Sequence, residues 1–506
     1  MPTEISQANR WVILAAVLMA FVPIAINMTI LHVAVPSLTL ALDATGAQML
    51  WMIDIYPLIM AGLLVPMGTL ADRVGHRRML LSGLVVFLIA SLIAAFAPGA
   101  GVLIGARALL AFGAAMVMPN ILAIIRQTFD RPRELGLALG LWSTIASCGA
   151  ALGPLVGGFL LEHFWWGSVF LINLPVIPAV WLLAYFKLPR RAPQATGNWS
   201  VGQAIILLSG LISTIYAIKS GFGAEDAILA TGATALAGIS LLLWFVRLQL
   251  RSPAPMLDIK LFATPAISMG VVIAVVVSGS LAGIELTIAQ ELQFVVGLTP
   301  LKAGLFLLPL ILASALGGPF AGYLVERLGL RMVAVSSLLV SGACVLGLGV
   351  SDFHTAGLGV IGLLSGLGLA LGIGLTASSL AIMSSVTPAK AGVAGSLEAT
   401  GYELGAGLGI TIFGMLLSAS YANAIRIPEQ LAGRLPESAT RSIGETLNAA
   451  SHVGVHADLL KAAARMAFSS AHAVALISGG LAIAAVGIVA LVTLRNYKPI
   501  EGSTGH

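Results

Sequence analysis

Charged side chains are scarce in this chain of 506 residues: Asp, Glu, Lys and Arg make up 9% of it, against about 25% in soluble domains. Hydrophobic residues make up 58%, and the mean hydropathy is +1.01. This composition excludes a soluble globular protein and indicates a polytopic protein of the lipid bilayer. The net charge of +5 could suggest a nucleic-acid partner. We predict none, because the basic residues are scattered through short loops between apolar runs.

Groups that carry covalent or metal chemistry are also few. The two cysteines, Cys148 and Cys344, lie in apolar runs, which is typical of buried small residues rather than of a disulfide or a metal site. The sequence has no Gly-x-x-x-x-Gly-Lys-Ser/Thr nucleotide loop. It also has no His, Cys and Asp constellation with the spacing of a metal site or a nucleophile. We therefore expect neither an enzyme nor an ATPase, no metal and no cofactor other than a coupling ion.

The apolar residues fall into fourteen segments, and their lengths are close to the roughly 20 residues that cross a bilayer. The first is too long for a cleavable signal peptide. Of the 26 basic residues, 18 fall at the termini and in short loops on one predicted side, whereas short loops on the other side hold only Lys219 and Lys302. By the positive-inside rule, both termini face the cytoplasm. The segments are 11–35, 50–71, 79–97, 101–124, 135–161, 165–186, 201–219, 227–247, 266–289, 301–325, 332–351, 356–386, 391–419 and 470–494.

A short pattern occurs twice and divides the chain. Gly68–Arg77 and Gly322–Arg331 both read Gly-x-x-x-acid-Arg-x-Gly-x-Arg, at the ends of segments 2 and 10. Parallel repeats with a site between them are a transporter architecture. We therefore predict an all-α membrane protein with 14 helices arranged as 6 + 2 + 6. The predicted parts are a first six-helix bundle (1–191), an inserted pair of helices with its linkers (192–264) and a second six-helix bundle (265–506).

The second bundle contains a long segment, residues 420–469, which we place outside the membrane. Its charges are mixed, and it contains a possible amphipathic helix near Asp458–Phe468. It is either a cap over the outer face or a lid that limits substrate exit.

Segment 2 carries a carboxylate well inside its apolar run. A charge such as Asp54 costs about 2.5–3.5 kcal/mol on membrane-insertion scales, so by default it marks a functional site. Trp51 lies three residues earlier and shares its helix face. An aromatic ring beside a carboxylate suits a lipophilic cation. The alternative for Asp54 is a structural pair with Arg107, an intramembrane arginine that must be paired or face water.

Three further acids lie in apolar runs: Glu285 in segment 9, and Glu398 and Glu403 in segment 13. Burial in general raises the pKa of a carboxyl group toward the range in which it loads and releases protons. Such a group attracts a cation when ionised and not when protonated, which is the simplest physics of proton/cation exchange. Tyr402 shares a helix face with Glu398. The alternative for these acids is structural hydrogen bonding, and we expect His32 in segment 1 to be a core or cavity histidine.

Three motifs resemble those of a known family. The turn at Gly68–Arg78 resembles the signature between helices 2 and 3 of the major facilitator superfamily. Leu103–Gly113 is similar to its helix-4 motif with an intramembrane arginine, and Gly149–Gly158 to the helix-5 motif that marks its antiporters. The chain resembles the drug:proton antiporter branch with 14 helices. This resemblance rests on the fourteen segments and on the residue sequences of Leu50–Tyr56 and Leu161–Pro175.

The resemblance implies gating roles for the motif residues. The glycines of segment 5 recur every fourth residue, which forms a stripe where another helix packs closely, and Pro154 favours a bend. In the family this bend seals against leak, so bulky substitutions should uncouple the pump. Asp72 and Glu326 should act as a cytoplasmic latch. The implied gating and antiporter residues are Gly68, Asp72, Arg73, Gly75, Arg77, Gly149, Gly153, Pro154, Gly157, Gly158, Glu326 and Arg327.

The sequence departs from the family at one position. Asn27 stands in segment 1 where the family usually has an aspartate. Asparagine keeps the shape and the hydrogen bonding, but it neither takes up a proton nor bears charge. Either this protein has one titrating site fewer than its family, or the residue was substituted to lock the protein.

These observations predict a proton-coupled multidrug antiporter of the bacterial cytoplasmic membrane that acts as a monomer. The expected substrates are lipophilic cations: quaternary ammonium compounds, cationic dyes and biguanides. One alternative is an exporter of a single endogenous metabolite with the same fold, and another is a membrane sensor or enzyme. The predicted substrate- and proton-binding residues are Asn27, Trp51, Asp54, Tyr56, Arg107, Glu285, Glu398, Tyr402 and Glu403.

Overall fold

The protein is a bundle of membrane-spanning helices. The computed structural model describes residues 7–129, 131–189, 199–221, 228–253, 255–355, 357–386, 391–431 and 435–496. Fourteen helices in these ranges are long and apolar enough to cross a membrane, which confirms the predicted number, and the same ranges contain no β-strand. The predicted boundary at residue 191 and four basic residues of the topology prediction lie outside the described residues. Those four are Arg190, Arg191, Lys390 and Lys498.

We number the spanning helices in chain order. They are α1 (Gln7–Ala41), α2 (Gly46–Val74), α3 (His76–Ala95), α4 (Ala100–Thr128), α5 (Pro132–His163), α6 (Ser168–Lys187), α7 (Val201–Gly221), α8 (Ile228–Arg251), α9 (Pro265–Gln290), α10 (Pro300–Leu328), α11 (Leu330–Gly349), α12 (Leu358–Met383), α13 (Ala391–Ala424) and α14 (Ala457–Thr493). Since their number is even, α1 begins and α14 ends on one side of the bundle, which we call the terminal side. The opposite side, where α1 turns into α2, is the loop side. We predict that the terminal side faces the cytoplasm.

The two copies of the repeated pattern form the same local structure. Gly75 ends α2 with a φ of 102°, and Gly329 ends α10 with a φ of 80°. Both lie in the left-handed region, which favours glycine because it has no Cβ. Each chain then enters the next helix directly, at His76 or at Leu330. The two turns are therefore structural equivalents.

The helices pack into two apolar cores, one mainly within α1–α6 and the other mainly within α9–α14. Two seams join these halves, where α2 packs along α13 and α5 packs along α10. The inserted helices α7 and α8 pack on each other, and α7 also packs on α2. The inserted pair thus borders the first seam.

The long segment 420–469 differs in part from the prediction. Residues Asp458–Phe468 belong to α14, which begins at Ala457 rather than near residue 470. The reason is that buried residues recur at helical spacing from Leu460 to Ala471, so the amphipathic stretch packs as part of the same helix. A separate short helix, Ile443–Ser451, lies over the loop side, where Asn448 Nδ2 donates to Asp43 Oδ1 at 2.7 Å. These contacts suit either a cap or a lid.

Candidate substrate and proton site

Asp54 is completely buried at the seam between α2 and α13. Its Oδ2 atom lies 2.6 Å from Nζ of Lys219 on α7 and accepts a hydrogen bond of 2.7 Å from the Thr411 hydroxyl on α13. The other carboxylate oxygen, Oδ1, has no hydrogen-bond partner among the described residues. Asp54 therefore forms its ion pair with Lys219. The structural alternative, a pair with Arg107, is not formed.

The Trp51 ring faces the same ammonium group, and the Tyr216 ring lies next to Trp51. Lys219 Nζ lies 3.8 Å from the ring centroid of Trp51, and the Tyr216 ring lies 6.3 Å from that of Trp51. The sequence predicts a substrate cation beside Trp51 and Asp54, which stays a prediction; the cation in the structure is the protein's own Lys219. Placing Lys219 in an outer loop was wrong, because its side chain is only 6% exposed.

Arg107 donates hydrogen bonds to a different set of groups, which are uncharged. Its guanidinium donates to Asn27 Oδ1 at 2.8 Å and to the backbone carbonyls of Met52 and Ile53 at 3.0 and 3.2 Å. The Ile53 carbonyl is available because Pro57, four residues later, has no N–H to bond it. Pro57 is thus the sequence signal for this contact.

Tyr56 and Glu403 complete this central group. The Tyr56 ring lies 4.8 Å from the Arg107 guanidinium carbon, and Glu403 is close enough to interact electrostatically with Tyr56. Glu403 is 3% exposed, and neither its Oε2 atom nor the Tyr56 hydroxyl has a hydrogen-bond partner among the described residues. Buried polar atoms are normally paired, so both are suited to bind a ligand, and Glu403 is also suited to bind a proton. With all groups ionised, Asp54 and Glu403 balance Lys219 and Arg107.

Two other predicted acids lie in separate pairs. The Tyr402 hydroxyl donates to Glu398 Oε1 at 2.6 Å, within α13 and near Ser378 of α12. Glu285 Oε2 on α9 lies 2.9 Å from Nδ1 of His32 on α1. This second pair joins the two halves, and both side chains are buried. The sequence shows no partner for Glu285, since His32 is 253 positions away.

Comparison with known proteins places this geometry in a family. Residues 17–410 match the family described as the Major Facilitator Superfamily. The chain belongs to this superfamily. As a member, it is a multi-pass membrane transporter and not an enzyme.

Curated members of the superfamily match nearly the whole chain. It is 44% identical over 483 residues to the methyl viologen resistance protein SmvA of Salmonella typhimurium, covering 95% of this chain and 98% of that one. It is 35% identical over 501 residues to the multidrug efflux pump LfrA of Mycolicibacterium smegmatis, covering 97% and 98%. A solved superfamily fold, a bacterial homolog of the human lysosomal transporter Spinster in an inward-facing, unoccupied conformation, aligns with a TM-score of 0.70 at 18% identity. That alignment covers 98% of this chain and 100% of that one.

The glycines of the predicted antiporter motif lie where α5 packs closely against two other helices. Gly149, Gly153 and Gly157 face α1, where a Cβ would collide with Ala25, Thr29 or Ile30. Gly158 instead faces the second half, where a Cβ would lie 2.5 Å from Leu301 Cα at the start of α10. The motif therefore has two packing faces, one within the first bundle and one across the α5–α10 seam.

The helix 2–3 signature of the superfamily makes contacts within its own half. Asp72 Oδ1 lies 3.6 Å from His76 Nε2, and Arg77 Nη2 donates to the Tyr185 carbonyl at 2.6 Å. In the second half, the Arg327 guanidinium lies 4.4 Å from the Tyr323 ring centroid. The latch of Asp72 and Glu326 stays a prediction, as do the roles of Gly68 and Arg73.

Proposed function

We propose that this transporter exports lipophilic cations from the bacterial cytoplasm in exchange for protons, with Asp54 as the group that binds both. The observation that carries this proposal is the position of an ammonium group on Asp54 and against Trp51, at a seam between the two halves. A site that holds one organic cation by charge and by an aromatic face suits others of that chemistry. Quaternary ammonium compounds, cationic dyes and biguanides are the proposed substrates.

Exchange follows from competition for one carboxylate. Asp54 attracts a cation only while it is ionised, so proton and substrate exclude each other. Rocking of the halves about the α2–α13 and α5–α10 seams would present the site to each side in turn. Each charge moved across the membrane is worth about 2.3 kcal/mol per 100 mV, so export is driven when protons outnumber substrate charges.

The remaining acids are proposed to assist the coupling. Glu403 has a buried oxygen without a partner and lies close to Tyr56, so it is placed to take up a proton or the second charge of a dication. His32 and Glu285 form a polar contact between α1 and α9, so they are placed to couple the two halves. The named activities of the relatives, methyl viologen resistance and multidrug efflux, support export of such compounds.

The direct test uses everted membrane vesicles with an imposed pH gradient. Adding tetraphenylphosphonium, ethidium or benzalkonium is expected to release protons from vesicles that contain the protein, and not from vesicles that lack it. Collapse of the gradient with nigericin is expected to stop uptake of radiolabelled tetraphenylphosphonium. If no cation in the panel releases protons, the proposal is overturned in favour of an exporter of one metabolite.

The Asn27→Asp variant tests whether this position is silent in coupling. Asn27 accepts a hydrogen bond from Arg107, so an aspartate would form a charge-assisted pair there. The aspartate would add a titratable group at this contact, so we expect the pH dependence of transport to change. The measurement is the initial rate of tetraphenylphosphonium uptake from pH 5 to 9. Superimposable profiles of the variant and the parent protein would contradict the prediction.

A further inference from the structure

The inserted helices supply a charge to the site of the two bundles. Helix α7 and the residues just before it touch α2 at three places between Pro66 and Asp54. Near the terminal side, Trp199 Nε1 donates to the Pro66 carbonyl at 3.0 Å. Further along, a Cβ on Gly62 would lie 3.0 Å from Leu208 Cδ1, and close to the loop side Lys219 reaches Asp54. The position of the Lys219 ammonium is therefore set by an extended helix contact.

This ammonium fills the place that a substrate cation would take. It contacts the Asp54 carboxylate and the Trp51 ring face, the two groups that recognise a cation at this site. The other charged group that interacts with Asp54 is Arg107, whose guanidinium is bound to Asn27 and to carbonyls. Thr411 adds a neutral hydrogen bond from α13. A cation that takes the Oδ2 atom and the Trp51 ring face must therefore displace Lys219, which is the charged group bound there.

We infer that Lys219 is a tethered competitor, which occupies the cation position in the absence of substrate and sets which cations can bind. A tethered group acts at an effective concentration on the order of millimolar or more. A small hydrophilic cation offers Asp54 nothing beyond what Lys219 already gives, so it is excluded. This inference rests on the proposed function, because it assigns the selectivity of the same site.

A neighbouring cavity explains why lipophilic cations can compete with Lys219 for Asp54. A cavity of about 210 Å³ lies between α2, α7, α8 and α13. It begins at Ala61, two turns along α2 from Asp54 and on the same helix face. Its lining is almost wholly apolar, so a cation with an apolar body gains burial there that lysine does not. The lining residues are Ala61, Gly62, Val65, Pro66, Leu207, Leu211, Leu242, Phe245, Met256, Leu257, Thr400 and Leu404.

The first test measures the Kd of tetraphenylphosphonium on purified protein in nanodiscs. Lys219→Gln is expected to lower this Kd about tenfold, because the competing charge is gone. Tetramethylammonium is expected to displace tetraphenylphosphonium from this variant and not from the parent protein. Lys219→Arg keeps the positive charge and is the matched control, and its Kd is expected to exceed that of Lys219→Gln. In an Asp54→Asn background, Lys219→Gln is expected to leave the Kd unchanged.

The second test needs no variant and so does not depend on folding. Displacement frees the Lys219 amine, so saturating tetraphenylphosphonium is expected to raise its acetylation by acetic anhydride several-fold. Lys302, which is exposed near the start of α10, is the internal reference and should not change. Equal or lower labelling of Lys219, or an unchanged Kd in folded Lys219→Gln protein, would overturn the inference alone. A parent protein that neither binds nor transports any cation would overturn the proposed function as well.

Discussion

Asp54→Asn is expected to reduce export of lipophilic cations to the level of vesicles without the protein. The amide keeps the shape of the side chain and its contact with Thr411, but it neither holds a cation by charge nor takes up a proton. The variant also leaves the Lys219 ammonium buried without its counter-charge. Removing one partner of a buried pair costs about 3–5 kcal/mol, so loss of folded protein could produce the same result.

A double variant separates these two causes. Asp54→Asn with Lys219→Gln contains no buried charge at this position, so we expect its thermal stability to return close to that of the parent protein. Its transport is expected to stay at background, because the carboxylate is still absent. Proton release on adding tetraphenylphosphonium and the thermal unfolding midpoint are the two measurements. Active transport by the stable double variant would show that Asp54 is not the shared binding group.

Gly158→Ala is expected to impair transport strongly, although it adds a single methyl group. Glycine to alanine in a helix normally stabilises by about 0.5–1 kcal/mol. Here the new Cβ would lie 2.5 Å from Leu301 Cα and 2.7 Å from its backbone nitrogen, so the start of α10 must move. Overpacking of this kind destabilises a folded protein by about 1–3 kcal/mol. Here the overpacked contact is the one between the two halves. We therefore expect slower export and weaker closure of the loop side.

The same helix offers a matched control. Gly140 also lies in α5, but a Cβ there would meet no atom within 4 Å. Gly140→Ala is therefore expected to transport at the rate of the parent protein. The measurement is the initial rate of cation uptake in vesicles that contain equal amounts of each protein. Equal rates for Gly158→Ala and Gly140→Ala would count against a gating role for the α5–α10 seam.

The helices were predictable from the sequence because each depends on a local property. An apolar run of sufficient length must pair its backbone internally, and short basic turns mark the ends of runs. The equivalence of Gly75 and Gly329 was also readable, since both turns repeat one pattern and need a residue that tolerates positive φ. The early start of α14 was not readable from the sequence, because an amphipathic stretch can either end a loop or extend a helix.

The pairing of the site residues could not be read in the same way. Asp54, Trp51 and Arg107 are recognisable singly, as polar or aromatic groups in apolar runs. Which group neutralises Asp54 depends on the packing of α7 against α2, and nothing in the local sequence fixes that contact. Lys219 is at the end of an apolar segment, where a basic residue ordinarily reaches water. The Glu285 and His32 pair was hidden for the same reason, since it joins the two halves.

The inserted pair also makes the two seams unequal toward the lipid. In an apolar stretch of 18 residues within each helix, 94% of the residues are buried in α2 and 29% in α5. Bulky side chains such as Phe159 and Leu312 are exposed on α5 and α10, beside the seam without inserted helices. A lipophilic molecule in the bilayer therefore meets two different seams. The α2–α13 seam is covered by α7 and α8, whereas the α5–α10 seam is bordered by exposed apolar side chains. We therefore predict that a lipophilic compound entering from the membrane does so beside the α5–α10 seam.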